Sequence, residues 1–288
     1  IFAGGKRVRP VFCLLACEAT GGDIKKALPV ATAIELVQAF GLIHDDVMDR
    51  DEMRRGIPTM WKKHGNALAI CIGDGIFAKG FEALAEYKGE DSQVILKLFT
   101  EGIMRLCEGQ TRDLLFEKRP DTGLEEYYDI SKQKTGAQIA YSLKIGAMIA
   151  GASKEVQDAL HNAGLKFGVA YQLWDDYIDF ASDNTGKTKG SDIKKGKRTS
   201  IVCHALQNLG GIDKNELLTI LNASVEETTD EMIGRAVGIL SKAGSIEFAK
   251  EQATKFIEEG KEKLAVLEDS QAKKEILKIF DFCVDRDV

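Results

Sequence analysis

Proline stops in this chain at Pro120, and the remaining 168 residues contain none. Only four occur (Pro10, Pro29, Pro58 and Pro120), and each sits at the edge of a periodic apolar run. Proline fits the first turn of a helix, where its missing N–H has no partner to lose, and disrupts a helix interior. A long proline-free tract with apolar residues at helical spacing can therefore be helix almost throughout. Strand-like alternation of β-branched and aromatic residues is hard to find, so no hairpin is expected.

The periodicity predicts helices over roughly 6–20, 29–49, 64–87, 91–118, 124–150, 154–181, 197–208, 213–224, 228–242, 244–265 and 270–284. Residues 29–44 are apolar almost all round, with Glu35 and Gln38 as exceptions, and 159–174 are similar apart from Lys166 and some small polar groups. Helices with so little polar surface belong in the middle of a bundle. Segment 244–265 sets Phe248, Ala253, Phe256 and Ile257 among Lys and Glu, as a peripheral helix does. No Pro-, Gly- or Ser-rich linker and no internal repeat divides the chain. The expectation is one all-α domain over 1–288, a helical bundle around a deep apolar central cavity.

Composition narrows the function. With 29% charged and 44% apolar residues the chain is too charged for an integral membrane protein and too apolar for disorder. The best apolar stretch, Pro29 to Ile43, is shorter than a membrane span, so no transmembrane segment is expected. A net charge of −6 does not favour nucleic acid. Six cysteines (Cys13, Cys17, Cys71, Cys107, Cys203, Cys283) form no CxxC pair and read as small buried apolar residues in a reducing cytoplasm. No signal peptide is expected. The chain opens on Ile1 rather than Met, which is compatible with a start inside a longer protein and a missing N-terminal helix.

The two most apolar helices end alike. Asp45-Asp46-Val47-Met48-Asp49 closes one and Asp175-Asp176-Tyr177-Ile178-Asp179 the other, both DDxxD. Positions i and i+4 share a helix face, so Asp45 pairs with Asp49 and Asp175 with Asp179. Carboxylates crowded at the negative end of a helix dipole call for a cation. Oxygen ligands without His or Cys at ligand spacing point to a hard ion, Mg²⁺ or Mn²⁺. A single cluster would read as a solvated helix end; two, each after an apolar helix, read as metal sites.

Cations gather beside glycines: Lys6, Arg7 and Arg9 after Gly4-Gly5, Arg54 and Arg55 before Gly56, Lys134 near Gly136, and Lys187, Lys189, Lys194, Lys195, Lys197 and Arg198 around Gly186, Gly190 and Gly196. Such pairings suit phosphate, which takes Arg or Lys together with close backbone amides. There is no Walker A or Rossmann pattern, and His44, His64, His161 and His204 are scattered without catalytic spacing. Metal clusters, phosphate-binding cations and an apolar cavity together suit a lipid tail on a diphosphate head.

In order along nearly the whole chain, GGKRVRP, DDVMDRDEMRRG, GQTRD at Gly109–Asp113, Lys134-Thr135, and YQLWDDYIDF followed by GKTKGSDIKKGK resemble the trans-isoprenyl diphosphate synthases, the head-to-tail polyprenyl synthases. The resemblance implies an all-α homodimer that condenses isopentenyl diphosphate with an allylic prenyl diphosphate. It implies three Mg²⁺ ions, two on Asp45 and Asp49 and one on Asp175, with Asp46, Asp176 and Asp179 in support. Arg54, Lys134, Thr135, Gln172, Lys187 and Lys197 would grip the allylic diphosphate. Lys6, Arg9, Gln38 and Arg55 would form the metal-free isopentenyl site; Gln38 lies two turns before Asp45 on the same face. Metal and cations would stabilise the leaving diphosphate, the isopentenyl double bond would attack the allylic cation, and the departed diphosphate would take the proton. Closure of the 183–198 loop would keep water out.

Phe40 and Gly41, five and four residues before Asp45, resemble the archaeal-type geranylgeranyl (C20) pattern of chain-length control. At about 100° per residue Gly41 lies nearly under Asp45 while Phe40 points aside, so the role of Phe40 rests on resemblance. Trp61 stands where relatives often carry His, and the chain ends Asp285-Arg286-Asp287-Val288 without a basic tail. A farnesyl or longer product, a class I terpene cyclase and a non-catalytic partner subunit remain as alternatives.

Overall fold

A computed structural model describes residues 4–117, 119, 121–181 and 190–286. Helix α1 (Val8–Ala19) carries Pro10 in its first turn. Helix α2 (Ile24–Asp49) starts five residues before the expected boundary because the Asp23 side chain caps it, accepting the Lys25 N–H at 2.9 Å. Pro29 thus lies inside α2 rather than at its edge, where it deprives one carbonyl of its helical donor. Arg50, in the left-handed conformation (φ 55°), ends the helix.

A hairpin follows that the sequence reading did not expect. Strands β1 (Met53–Arg54) and β2 (Ile57–Pro58) flank Arg55 and Gly56, whose φ values of 52° and 74° make the two-residue turn that matches strand twist. Next come α3 (Met60–His64) and α4 (Asn66–Ala85), split at Gly65, and α5 (Ser92–Phe116). The expected helix 124–150 is α6 (Leu124–Ser131), a π-helical turn (Lys132–Gly136) and α7 (Ala137–Ile149). After α8 (Lys154–Ala181) come α9 (Ser191–Lys194), α10 (Ser200–Asn208), α11 (Gly211–Leu221), α12 (Asp230–Lys242), α13 (Ser245–Lys263) and α14 (Gln271–Cys283). The all-α expectation holds: among the described residues the hairpin is the only β-structure.

The chain groups into two compact units. The first takes the described residues of 1–103, 138–161 and 266–276. In it α2 packs on α1 and α4. Cys13, Val30, Ile34, Val37, Ile95 and Ile145 form its core. A row of rings, Phe40, Phe77, Phe81 and Phe99, runs beside this core with centroids 4.7, 5.1 and 5.6 Å apart. Each such pair contributes about 0.5–1.5 kcal/mol beyond burial. Among the described residues, α2 is also the one helix long and apolar enough by composition to cross a membrane. The residues from Ile24 to Leu28 add the length that the stretch from Pro29 to Ile43 lacks.

The second unit takes the described residues of 104–137, 162–265 and 277–288. One of its cores joins Ile201, Leu206, Leu217, Leu221, Ile233 and Leu240. The other joins Phe116, Tyr127, Ile130, Val169, Leu173 and Ile178, and so buries one face of α8. Cys13, Cys17, Cys203 and Cys283 are buried as expected, but Cys71 on α4 and Cys107 on α5 are exposed.

Candidate active site

In the first unit the last turn of α2 carries Asp45, Asp46 and Asp49. Asp45 and Asp49 are half-buried, whereas Asp46 is buried. Burial raises the Asp46 carboxyl above its usual range, against the pull of Arg54. The hairpin turns the chain back so that Arg54 Nε donates to Asp46 Oδ1 at 2.6 Å, with Nη2 3.9 Å from Asp51 Oδ2. A cation is thereby fixed at the negative end of the helix dipole. Trp61, which the sequence left without a role, donates its indole N–H to the Asp51 carbonyl at 2.9 Å and braces the hairpin.

The same unit brings the N-terminal motif to the hairpin. Arg7 pairs with Glu35 of α2 at 3.0 Å and donates to the Gly4 carbonyl at 2.8 Å. Arg55, on the hairpin turn, also donates to that carbonyl and lies against Gly5. Lys6 is therefore next to residues tied both to Arg55 and, through Arg7, to Glu35, three residues before Gln38. Gln38 and Arg9 are half-buried. Phe40 is part of the ring row, its ring 4.6 Å from that of His44, and Gly41 is half-buried beside it.

In the second unit the other acid cluster divides its labour among residues the sequence did not single out. Asp176, 3% exposed, accepts the Tyr127 hydroxyl at 2.6 Å, and the Ser200 N–H at 2.8 Å and hydroxyl at 2.7 Å. Burial pushes its carboxyl up to about 7 despite these donors. Asp179 accepts the Ser191 hydroxyl at 2.7 Å and the Asp192 N–H at 3.2 Å. Asp175 keeps 44% of its side chain exposed, with Oδ1 2.6 Å from Arg286 Nη2.

Lys134 and Thr135 lie in the π-helical turn, a feature common at functional sites. A Cβ at Gly168 of α8 would fall on Gly136, and one at Gly109 of α5 would press on the Lys134 backbone. Only glycine lets these helices grip the turn so closely. Lys134 Nζ lies 2.6 Å from Asp113 Oδ2, and the Thr135 hydroxyl donates to Gln172 Oε1 at 3.3 Å. A cavity of about 70 Å³ joins Asp113, Lys134, Gln172, Asp176, Lys197 and Thr199. Arg198 corrects the grouping of loop cations: it is buried, and it donates to the carbonyls of Arg119 and Gly196 and to Asn222, as a structural residue does. Lys187, Lys189 and Gly186 lie outside the described residues.

Tyr127, Ser200, Asp113 and Arg286 had no assigned role in the sequence. The GQTRD segment pointed to Asp113, but no local signal could find partners 49 or 111 residues from their aspartates.

Among the described residues, no three or more His, Cys, Asp or Glu side chains form a preformed metal cage. Mg²⁺ is typically bound through one or two carboxylates plus substrate phosphates. Asp45 with Asp49, and Asp175, are hard oxygen donors of that kind.

The Polyprenyl synthetase family model matches residues 1–239, which include both acid clusters. The chain belongs to the polyprenyl synthetase family. A geranylgeranyl diphosphate synthase of Methanosarcina mazei is 40% identical over 99% of this chain and 87% of its own. A geranylfarnesyl diphosphate synthase of Natronomonas pharaonis is 37% identical over 99% and 87%. The crystal structure of geranylgeranyl pyrophosphate synthetase from Pyrococcus horikoshii superimposes with a TM-score of 0.93 at 40% identity, covering 99% of this chain and 87% of that one. As a polyprenyl synthetase the chain is a trans-prenyltransferase, and the family works with a divalent metal.

Proposed function

We propose that this polyprenyl synthetase adds isopentenyl diphosphate head-to-tail to an allylic diphosphate and stops at geranylgeranyl diphosphate. The observation that carries the reading is how the fold treats each DDxxD. Asp46 is held by Arg54, and Asp176 by Tyr127 and Ser200. Arg54, Tyr127 and Ser200 thus fix the middle aspartate of each cluster, and Asp45, Asp49 and Asp175 remain at more accessible positions, while Asp179 is buried against Ser191 and Asp192.

Asp45 and Asp49 would hold two Mg²⁺ ions and Asp175 a third, with Mn²⁺ as a substitute. Held by these carboxylates, the metal would supply positive charge that stabilises the diphosphate as it leaves. Lys134, Thr135, Gln172, Lys197 and Arg54 bind the allylic diphosphate, with Lys187 from outside the described residues. Asp113 holds the Lys134 ammonium in place for this task. Lys6, Arg9, Gln38 and Arg55 bind the isopentenyl headgroup. The allylic C–O bond ionises, the isopentenyl double bond attacks the cation, and the released diphosphate takes the proton. The protein needs no histidine base. His204 supports this: it packs on Phe248 and bonds Ser245.

A C20 product is supported by Phe40 at the row of rings and by relatives named for that product. We also propose a cytoplasmic homodimer; Leu68 and Ile70 on α4, and Val94 and Leu96 on α5, are exposed apolar residues of the kind a subunit contact buries. The test is incubation with Mg²⁺, isopentenyl diphosphate and each of the C5, C10 and C15 allylic primers, followed by chromatography. All three should converge on C20. No incorporation overturns the activity, and a different terminal length overturns the product assignment.

A further inference from the structure

We infer that Arg286 is a positioning residue for Asp175, fixing one carboxylate oxygen so that the other is presented to the metal; this rests on the proposed role of Asp175 as a ligand. The side chain of Arg286 is only 3% exposed. Its guanidinium lies 3.7 Å over the Tyr171 ring. It donates from Nε to the Cys283 carbonyl at 3.2 Å, and from Nη2 to the Tyr171 carbonyl at 3.1 Å. Trp174 Nε1 pins the backbone by donating to the Arg286 carbonyl at 2.9 Å. The guanidinium is thus anchored without Asp175. From that fixed position Nη2 reaches Asp175 Oδ1 at 2.6 Å, while the aspartate stays 44% exposed.

A buried cation is costly unless it is paired, and Asp175 supplies that pairing charge, so the same contact that stabilises Arg286 also fixes the orientation of the carboxylate. Arginine suits the arrangement because its planar fork serves carbonyls and a carboxylate together and stacks on a ring. Partners that orient metal-binding side chains typically matter 10–100-fold for metal affinity or activity.

The test measures binding of inorganic pyrophosphate to the whole protein by calorimetry while Mg²⁺ is varied. Asp175→Asn should raise the Mg²⁺ midpoint; if it does not, Asp175 is not a ligand and that part of the proposed function fails irrespective of Arg286. Given that rise, Arg286→Gln should raise the midpoint about tenfold and have no further effect in the Asp175→Asn background. An unchanged or lowered midpoint overturns the inference, as does an equal rise in both backgrounds, which would mark a purely structural anchor. Thermal melting in EDTA checks folding. If Arg286→Gln does not fold, Arg286→Lys takes its place. A lysine ammonium lacks the planar fork by which Nε and Nη2 hold the carbonyls and Asp175 at separate points, so the midpoint should rise several-fold, and an unchanged midpoint overturns the inference.

Discussion

The hydroxyl of Tyr127 donates to Asp176 Oδ2 across 2.6 Å, between residues 49 positions apart. Asp176 also takes both donors of Ser200, and burial would otherwise make its charge costly. Tyr127→Phe removes one of three donors to a buried carboxyl. It should lower unfolding stability by about 1–3 kcal/mol, measured by urea denaturation in EDTA. An unchanged stability would mean that the bond is not part of the cluster's support.

Gly168 lets α8 lie directly on the π-helical turn at Gly136. Gly168→Ala should force the turn, and with it Lys134 and Thr135, out of place. The expected cost is about 1–3 kcal/mol of stability and about a hundredfold in kcat/KM for the allylic substrate. A variant with normal kinetics would show that the turn tolerates displacement.

Phe40 is the first of four rings that pass through Phe77 and Phe81 to Phe99. Phe40→Ala should open space beside Phe77 and shift the product beyond C20. Chromatography showing an unchanged product would reduce Phe40 to ordinary packing.

His204 titrates below its usual 6.5 because burial disfavours the charged ring. Its folded pKa is depressed, so its stability contribution is present above pH 6.5 and is lost as pH falls through the folded pKa. The stability difference between the wild type and His204→Gln should therefore narrow from pH 7.5 to pH 5. A constant difference in urea midpoints would contradict this.

Helical spacing alone located α8 to the residue, because a proline-free amphipathic run is a local property. It misplaced the start of α2, since Pro29 outweighed the Asp23 cap in that reading although one lost hydrogen bond is tolerable. The hairpin was hidden because Arg55 is an unusual residue for a turn with positive φ; the Gly4 carbonyl secures it from far along the chain. The aspartates could be found as repeated clusters. Their supporting residues, Tyr127, Ser200 and Arg286, become visible only once the fold brings them to α8.

The most direct test follows incorporation of labelled isopentenyl diphosphate into allylic product, with Mg²⁺, for the wild type, Asp45→Ala and Asp175→Ala. Circular dichroism establishes that each variant is folded. The wild type should turn over, and each folded variant should lose at least about a thousandfold in rate, on the scale of removing a main electrostatic contributor to catalysis. Near-normal turnover in both variants would contradict the claim that these aspartates bind the metal for prenyl transfer.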